Sequence, residues 1–209
     1  MSGIAPEDPG AAAASILEAP TPPAWVEQAA RSWPQLLLDH ASCERKAAST
    51  ALALMFTYAD DRPLALALSR VAREELRHYE QVVRVMQTLG VAFARQRPGR
   101  YAQQLRAALR SADPGRKLDL LLMSALIEAR SAERFALLSS RLPAPLAQLY
   151  RQLTSAEARH FALYLAFARA SAPDEWRARL TALAQREAEL ATTPDTALRF
   201  HSGPPRPPA

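Results

Sequence analysis

The stretch REELRHYE, residues 73 to 80, sets three acidic side chains and a histidine close together. A second stretch, SAEARHFA at residues 155 to 162, repeats its Glu-x-x-His core. Residues three apart share one face of a helix, so each copy sets a carboxylate beside an imidazole. Two questions follow: whether these pairs are solvated or buried, and whether Glu74 or Glu75 pairs with His78.

Apolar periodicity places both pairs on core-facing stripes. Positions that step by three and four along the first copy's helix form a stripe with two polar members, Glu75 and His78. That stripe is Leu68, Val71, Glu75, His78, Val82, Val85 and Leu89. Glu74 and Glu80 fall off it and are predicted to be surface charges. Glu157 and His160 interrupt the apolar stripe of the second copy's helix in the same way.

Helical periodicity runs through almost the whole chain, and no convincing alternating strand occurs. The predicted helices are 23–32, 34–58, 63–89, 115–142, 145–171 and 174–191, with a further short helix at 100–111 in a long connection over 91–114. Pro34 favours a helix start, Gly90 a C-terminal cap and Asp174 an N-terminal cap. Two hairpins joined by one long crossover predict an all-α, ferritin-like four-helix bundle with additional short helices.

The other two long helices each carry one acid on the core stripe, Glu44 and Glu128. Glu133 is a rival because it lies on a second, largely apolar stripe. The distance from the inter-helix turn distinguishes Glu128 from Glu133. Four acids lie about 14 to 16 residues from their turns, or roughly 22 Å at ~1.5 Å per residue: Glu44, Glu75, Glu128 and Glu157. Glu133, about 10 residues from its turn, would lie one to two helical turns from that level.

Four carboxylates and two imidazoles would therefore meet in the core, where uncompensated carboxylates are costly and repel one another. Two divalent cations would neutralise them. Oxygen and nitrogen ligands without thiolate suit iron or manganese, and one Glu from each of two helices with Glu-x-x-His from each of the others is the di-iron pattern. The predicted ligands are Glu44, Glu75, His78, Glu128, Glu157 and His160. His40, one turn before Glu44, is either an outer contact of the site or a capped, partly exposed histidine.

Composition sets the remaining limits. The 209 residues suit one domain, predicted at 23–200, after a disordered lead over 1–22 and before an extended Pro-rich tail over 201–209. The net charge of +5 and the pI of about 9.9 favour polyanionic partners. The one cysteine, Cys43, is predicted to be a small buried residue and excludes a four-thiolate metal centre. No run suits a membrane span or a signal peptide, so a cytoplasmic location is expected.

Five blocks of sequence resemble one family. They are LLLDHASCERKAASTALALMFTY, VAREELRHYEQVVRVM, ALIEARSAERFALL, SAEARHFALYLAFAR and PDTALRFHSG. Together they are similar to the MiaE family, the tRNA 2-methylthio-N(6)-isopentenyladenosine hydroxylases, over about residues 25 to 203, and all six ligand positions match the family pattern. The resemblance implies a dioxygen-dependent di-iron monooxygenase that hydroxylates the isopentenyl group of a modified adenosine beside the tRNA anticodon.

The resemblance also implies partners. Glu44, Glu75 and His78 would hold mainly one iron and the other three ligands mainly the second; whether Glu75 and Glu157 bridge is left open. A separate reductase is implied, because nothing resembles a flavin or nicotinamide fold and one cysteine cannot hold an iron–sulfur cluster. Crossover arginines are candidates for tRNA phosphates, with a solvated loop as the alternative. They are Arg95, Arg97, Arg100, Arg106 and Arg110.

The alternative function is that of a ferritin-like protein that stores iron or reduces peroxide. Iron storage would need a cage of subunits and no tRNA, which the basic surface and the Pro-rich tail disfavour. A rubrerythrin-like peroxidase normally carries a further iron site with four cysteines, which this chain cannot build. A noncatalytic tRNA-binding module would have no reason to bury four acids.

Overall fold

The structure is a computed structural model that describes residues 14–206. Seven helices lie within that range: α1 (Pro23–Arg31), α2 (Trp33–Thr57), α3 (Arg62–Thr88), α4 (Tyr101–Arg106), α5 (Gly115–Leu138), α6 (Ala144–Ser171) and α7 (Trp176–Thr192). The same residues contain no strand beyond an isolated bridge between Asp195 and Pro205. The predicted all-α class is confirmed. None of the helices in the described range is long and apolar enough to cross a membrane.

The four long helices form two hairpins. α2 packs along α3, α5 packs along α6, and α3 also contacts α6 across the bundle. The chain between α3 and α5 is the one long crossover, and it contains the short helix α4. This arrangement confirms the predicted ferritin-like bundle. α1 rests on α2 and α5, while α7 packs against α4 and α5.

The helix ends follow local chemistry, with two corrections. Asp61 caps α3 by accepting a hydrogen bond from the Leu64 amide at 3.1 Å. Gly90 follows α3 with a φ of 68°, the left-handed conformation that glycine adopts freely. The prediction of Asp174 as a cap is wrong, because α7 begins at Trp176 and leaves it two residues outside the helix. α5 ends at Leu138, four residues before the predicted end, since the chain must leave helical geometry before Pro143.

The core consists of two apolar clusters along the bundle. One includes Leu54, Leu68, Leu121 and Leu165. The other includes Leu37, Val82, Phe135 and Leu149. On α2, α3 and α6, the acids Glu44, Glu75 and Glu157 lie between the two clusters. Apolar packing on both sides therefore isolates one polar level from solvent.

Packing begins before the boundary predicted at residue 23. Thr21 is buried and donates from its hydroxyl to Glu133 at 2.6 Å, and Arg130 donates to the Ala19 carbonyl at 2.9 Å. These polar partners on α5 hold the end of the predicted disordered lead, whose residues 1–13 lie outside the described range.

The start of the predicted extended tail is also packed. Ser202 and Gly203 are buried, and the amide of Gly203 donates to Asp195 at 2.9 Å. Just before them, the Phe200 amide donates to Asp39 at 2.8 Å. Residues 194–203 thereby close one side of the bundle; residues 207–209 lie outside the described range.

Candidate metal centre

The six residues predicted as ligands come together inside the bundle. All six are buried, with at most 6% of any residue exposed. α2 supplies Glu44, α3 supplies Glu75 and His78, α5 supplies Glu128, and α6 supplies Glu157 and His160. Their ligand atoms form two groups, each within 4.8 Å: Glu44, Glu75, His78 and Glu157; and Glu75, Glu128, Glu157 and His160.

The distances describe two adjoining groups of potential ligand atoms. In the first, His78 Nδ1 lies 3.5 Å from Glu75 Oε2, 3.6 Å from Glu157 Oε1 and 3.7 Å from Glu44 Oε2. In the second, His160 Nδ1 lies 2.7 Å from Glu75 Oε1 and 3.8 Å from Glu157 Oε2. Glu75 and Glu157 thus face both groups, as two bridging carboxylates would.

The hydrogen bonding of these atoms fits a metal. Among the described residues, four ligand atoms are buried without a hydrogen-bond partner: Glu75 Oε1, His78 Nδ1, Glu157 Oε1 and His160 Nδ1. Buried polar atoms usually find partners, and leaving one unpaired costs about 1–3 kcal/mol. A metal ion in each group would give all four atoms a partner. Carboxylates and imidazoles without thiolate suit iron or manganese.

The pKa values of the ligands reflect crowded charge. Burial and the neighbouring carboxylates raise the pKa of Glu128 and that of Glu157 well above their usual range. Burial alone would lower the pKa of His78, but the nearby carboxylates of Glu44 and Glu75 raise it to about 9. The raised pKa values of Glu128 and Glu157 mean that the buried group disfavours further negative charge, which bound cations would offset.

Glu74 makes a contact that the sequence pattern did not predict. Its Oε2 lies 2.9 Å from His160 Nε2, and its Oε1 accepts from Arg159 at 3.0 Å. Because a carboxylate only accepts, the ring donates its Nε2 proton and leaves Nδ1 free for a metal. The prediction of a simple surface charge is wrong: Glu74 lies beside Glu75 on the side of α3 that meets α6, and that contact depends on helix packing rather than on the α3 stripe.

His40 is the second outer contact. It is 1% exposed, hydrogen bonded through Nε2 to Glu44 and stacked on Phe200 with 5.1 Å between ring centres. This places it as an outer partner of the site and excludes the partly exposed alternative. Cys43, predicted to be buried, is only half-buried.

Glu133 lies outside both groups. It accepts hydrogen bonds from the Thr21 hydroxyl at 2.6 Å and from Arg130 at 2.5 Å. Arg130 is fully buried and also forms a two-pronged ion pair with Glu187 of α7, with both contacts at 2.8 Å. Glu133 therefore belongs to a network that fastens α5 to α7 and to the N-terminal segment.

A cavity of about 490 Å³ leads from the surface to the centre. Its buried lining includes Glu128 and Tyr164, and half-buried Thr50 and Ile127 lie along its walls. Stacked rings of Tyr101 and His201, 5.0 Å apart, form another part of the wall. The cationic lining residues are Lys46, Arg100, Arg106 and Arg199; Arg100 and Arg199 pair with the lining acids Asp195 and Asp39, whereas Lys46 and Arg106 are exposed. A basic opening thus joins solvent to the Glu128 side of the buried carboxylates.

Two of the five crossover arginines bind the protein itself. Arg100 donates to Asp195 at 2.6 Å and to the Thr193 carbonyl at 2.9 Å, so it fastens the crossover to the segment after α7. Arg110 donates to Asp119 at 2.8 Å and also pairs with Glu175. Arg100 still lines the cavity, whereas Arg110 holds the crossover in place.

The other three arginines are exposed. Arg106 lines the cavity, Arg97 lines a smaller groove beside it, and Arg95 lies in the same connection. The spacing of arginines in the sequence could not separate these three from Arg100 and Arg110. The separation depends on carboxylate partners elsewhere in the fold: Asp195 for Arg100, and Asp119 with Glu175 for Arg110.

Comparisons with known proteins agree on one family. The family model described as tRNA-(MS[2]IO[6]A)-hydroxylase (MiaE) matches residues 10–202. The chain is 45% identical to the tRNA 2-(methylsulfanyl)-N(6)-isopentenyladenosine(37) hydroxylase of Pseudomonas putida, over 92% of this chain and 94% of the relative. It is 34% identical to the protein of that name from Salmonella typhimurium, over 91% and 89%.

A solved structure is similar throughout. It is described as Protein 43 with aldehyde deformylating oxygenase activity from Synechococcus. The similarity has a TM-score of 0.83 at 40% sequence identity and covers 90% of this chain and 96% of that one.

Proposed function

Because this chain belongs to the MiaE family, we propose that it is a tRNA hydroxylase that oxidises the isopentenyl group of 2-methylthio-N(6)-isopentenyladenosine next to the anticodon. The observation that carries the proposal is the cavity that joins a cationic opening to the buried carboxylates. Its volume of about 490 Å³ lies within the range of small-molecule sites. An unstacked loop nucleotide can place its base in such a cavity while its phosphates stay outside.

The six buried residues would hold two iron ions. Two iron ions there would supply the redox chemistry that activates dioxygen for insertion into a C–H bond. Glu44 and His78 would belong to one ion, Glu128 and His160 to the other, and Glu75 and Glu157 face both groups. Outside the ligands, Glu74 orients the His160 ring and His40 holds the Glu44 carboxylate.

The cavity walls would position the substrate. Met123, Ile127 and Tyr164 line it near Glu128, and their apolar surfaces suit an isopentenyl chain and exclude water. The exposed cations Lys46 and Arg106 suit tRNA phosphates at the opening. Electrons would come from a separate reductase, and a tRNA substrate implies a reaction in the cytoplasm.

The same geometry distinguishes the alternatives. Storage of iron or reduction of peroxide needs no cavity of nucleoside size with a cationic opening. The aldehyde deformylating oxygenase activity ascribed to the Synechococcus protein makes an aldehyde a substrate to test beside tRNA. An aldehyde substrate, however, leaves the exposed cations Lys46 and Arg106 without a role, which favours RNA.

The test is mass spectrometry of tRNA nucleosides from cells that contain or lack this protein. We expect the hydroxylated nucleoside only when the protein is present, and complementation with a Glu128→Ala variant should not restore it. Purified protein with dioxygen and a chemical or enzymatic reductant should convert isolated tRNA, and an aldehyde should yield no deformylated product. Persistence of the hydroxylated nucleoside in cells without the protein would show that the proposed function is wrong.

A further inference from the structure

A second, smaller groove lies beside the cavity and shares Lys46 and Pro98 with it. Its volume is about 230 Å³. α2 contributes Ser42, Arg45, Lys46 and Ser49, which follow helical spacing and share one face, and the crossover contributes Gln96 and Arg97. A polar face of α2 therefore lies opposite the crossover residues Gln96 and Arg97, next to the opening of the cavity.

The groove carries uncompensated positive charge. Its lining has three cations, Arg45, Lys46 and Arg97, and no acidic residue. Within residues 14–206, none of these three forms a salt bridge, in contrast to Arg100 and Arg110. The hydroxyls of Ser42 and Ser49 add hydrogen-bond donors. Such a set of donors suits a phosphate group.

Arg45 is held in place before any ligand binds. Its Nη2 donates to the Ser42 hydroxyl at 3.3 Å, and its guanidinium lies 5.5 Å from the ring centre of Tyr79 and 5.9 Å from that of Phe93. The cation is thus fixed by contacts that involve no carboxylate, so its full charge remains available at the groove.

Phe93 places an exposed aromatic ring beside Arg45. The residue is 54% exposed, although burial of a large aromatic side chain is favourable. Proteins that bind single-stranded nucleic acid combine a cationic groove for the backbone with aromatic rings on which bases stack. A free phosphate ion would use the cations and hydroxyls but would leave Phe93 without a role.

We propose that this groove binds the nucleotide next to the one whose base enters the cavity, with its phosphate on Arg45, Lys46 and Arg97 and its base stacked on Phe93. The inference rests on the proposed function, because it takes the occupant of the cavity to be a nucleotide of RNA. Lys46 lines both openings, so it lies between the two adjacent nucleotides and contacts the phosphate that joins them.

The test uses the full chain with iron bound and a stem-loop RNA that carries 2-methylthio-N(6)-isopentenyladenosine in its loop. Arg97→Gln and Phe93→Ala remove one phosphate contact and the stacking ring. Both lie far in sequence from the metal ligands, whereas Arg45 and Lys46 directly follow Glu44 and are left unchanged. Arg141→Gln is the matched control, since Arg141 is exposed in the turn between α5 and α6 and is absent from both linings.

Binding is measured at several salt concentrations, with iron content measured for every variant. We expect Arg97→Gln to weaken binding and to reduce the slope of log K against log salt by about 0.7, the value for one phosphate of a single strand. Phe93→Ala should raise Kd about tenfold with little change of slope, because stacking is not ionic. Arg141→Gln should match the wild type in affinity and slope.

The outcomes separate the two proposals. If Arg97→Gln and Phe93→Ala bind the RNA with wild-type Kd and slope while the wild type hydroxylates it, the groove proposal is wrong and the proposed function stands. If the variants weaken binding as expected but the wild type forms no hydroxylated nucleoside with a reductant, the groove proposal stands and the proposed function fails. An effect of Arg97→Gln on inorganic phosphate binding alone, without one on RNA, would also overturn the groove proposal.

Discussion

Glu74 holds the outer nitrogen of His160: its Oε2 lies 2.9 Å from Nε2, while Nδ1 of the same ring faces the buried carboxylates. The contact determines which tautomer the ring adopts, because the carboxylate requires the proton on Nε2. Glu74, whose side chain is 30% exposed at the edge of the bundle, therefore orients a candidate metal ligand at its centre.

We expect Glu74→Ala to weaken metal binding about 10- to 100-fold, the usual effect of removing a carboxylate behind a ligating histidine. Glu74→Gln should have a smaller effect, because its amide oxygen still accepts from Nε2. Iron retention during titration with a chelator measures both. Glu80→Ala is the control, an exposed acid of the same helix that pairs with Arg84. Equal retention by Glu74→Ala and Glu80→Ala would contradict the role assigned to Glu74.

Glu128 and Glu133 lie on the same helix and should respond differently to the same change. Glu128→Ala removes a carboxylate from one metal group, so bound iron should fall below the expected value of about two per chain. Glu133→Ala should keep its iron and lose about 1–3 kcal/mol of stability, because Arg130 and Thr21 lose a charged partner. Iron analysis and denaturant unfolding measure the two effects. Iron loss from Glu133→Ala with retention by Glu128→Ala would reverse the assignment.

Distance from the turns explains why the sequence could identify the buried carboxylates. Glu44 and Glu75 count to the same level from one turn, Glu128 and Glu157 from the other, and each interrupts an apolar stripe. Both signals depend only on helical rise and periodicity, which local sequence determines. Because the four acids lie at the same distance from their turns, a bundle of these helices brings all four to one level.

The contacts that sequence could not predict join residues distant along the chain. Glu74 meets His160 only because α3 packs on α6, and Arg110 pairs with Glu175 only because the crossover lies beside the start of α7. Thr21 falls within the predicted disordered lead, since a short polar segment shows no periodicity. Its order comes from Glu133, 112 residues later. Periodicity describes one helix at a time and cannot predict which residues of other elements that helix contacts.

Metal removal should destabilise the fold, because the metal-free site leaves buried ligand atoms without partners. A ligand present at about 1,000 times its Kd adds about 4 kcal/mol to stability, which for a chain of this size raises Tm by on the order of 10 °C. Thermal unfolding of iron-loaded protein against chelator-treated protein measures the difference. The Glu128→Ala variant provides the comparison, since its Tm should respond much less to iron. Identical Tm values for loaded and stripped wild type would argue against a metal between these ligands.

Gly203 packs against Thr193, at the two ends of the segment 194–203 that closes one side of the bundle. A Cβ at this position would lie 1.8 Å from the Thr193 carbonyl oxygen, so Gly203→Ala must displace the backbone of one segment or the other. We expect a loss of about 1–3 kcal/mol and a higher KM for tRNA, because Arg199 and His201 of the cavity wall belong to the same segment. Arg206→Ala, an exposed change three residues later, should alter neither value. Unchanged stability and KM in Gly203→Ala would show that this segment does not shape the cavity.

Filling the cavity should separate chemistry at the metal from access to it. Thr50 lines the cavity from α2, six residues beyond Glu44, so Thr50→Trp adds bulk inside the cavity without altering a ligand. We expect the variant to keep its iron and the absorption spectrum of that iron. Hydroxylation of tRNA should fall at least tenfold, since the modified base can no longer approach Glu128. Thr57→Trp, an exposed position near the end of the same helix, is the matched control and should remain active. Full hydroxylation by Thr50→Trp would mean that the substrate reaches the centre by another route.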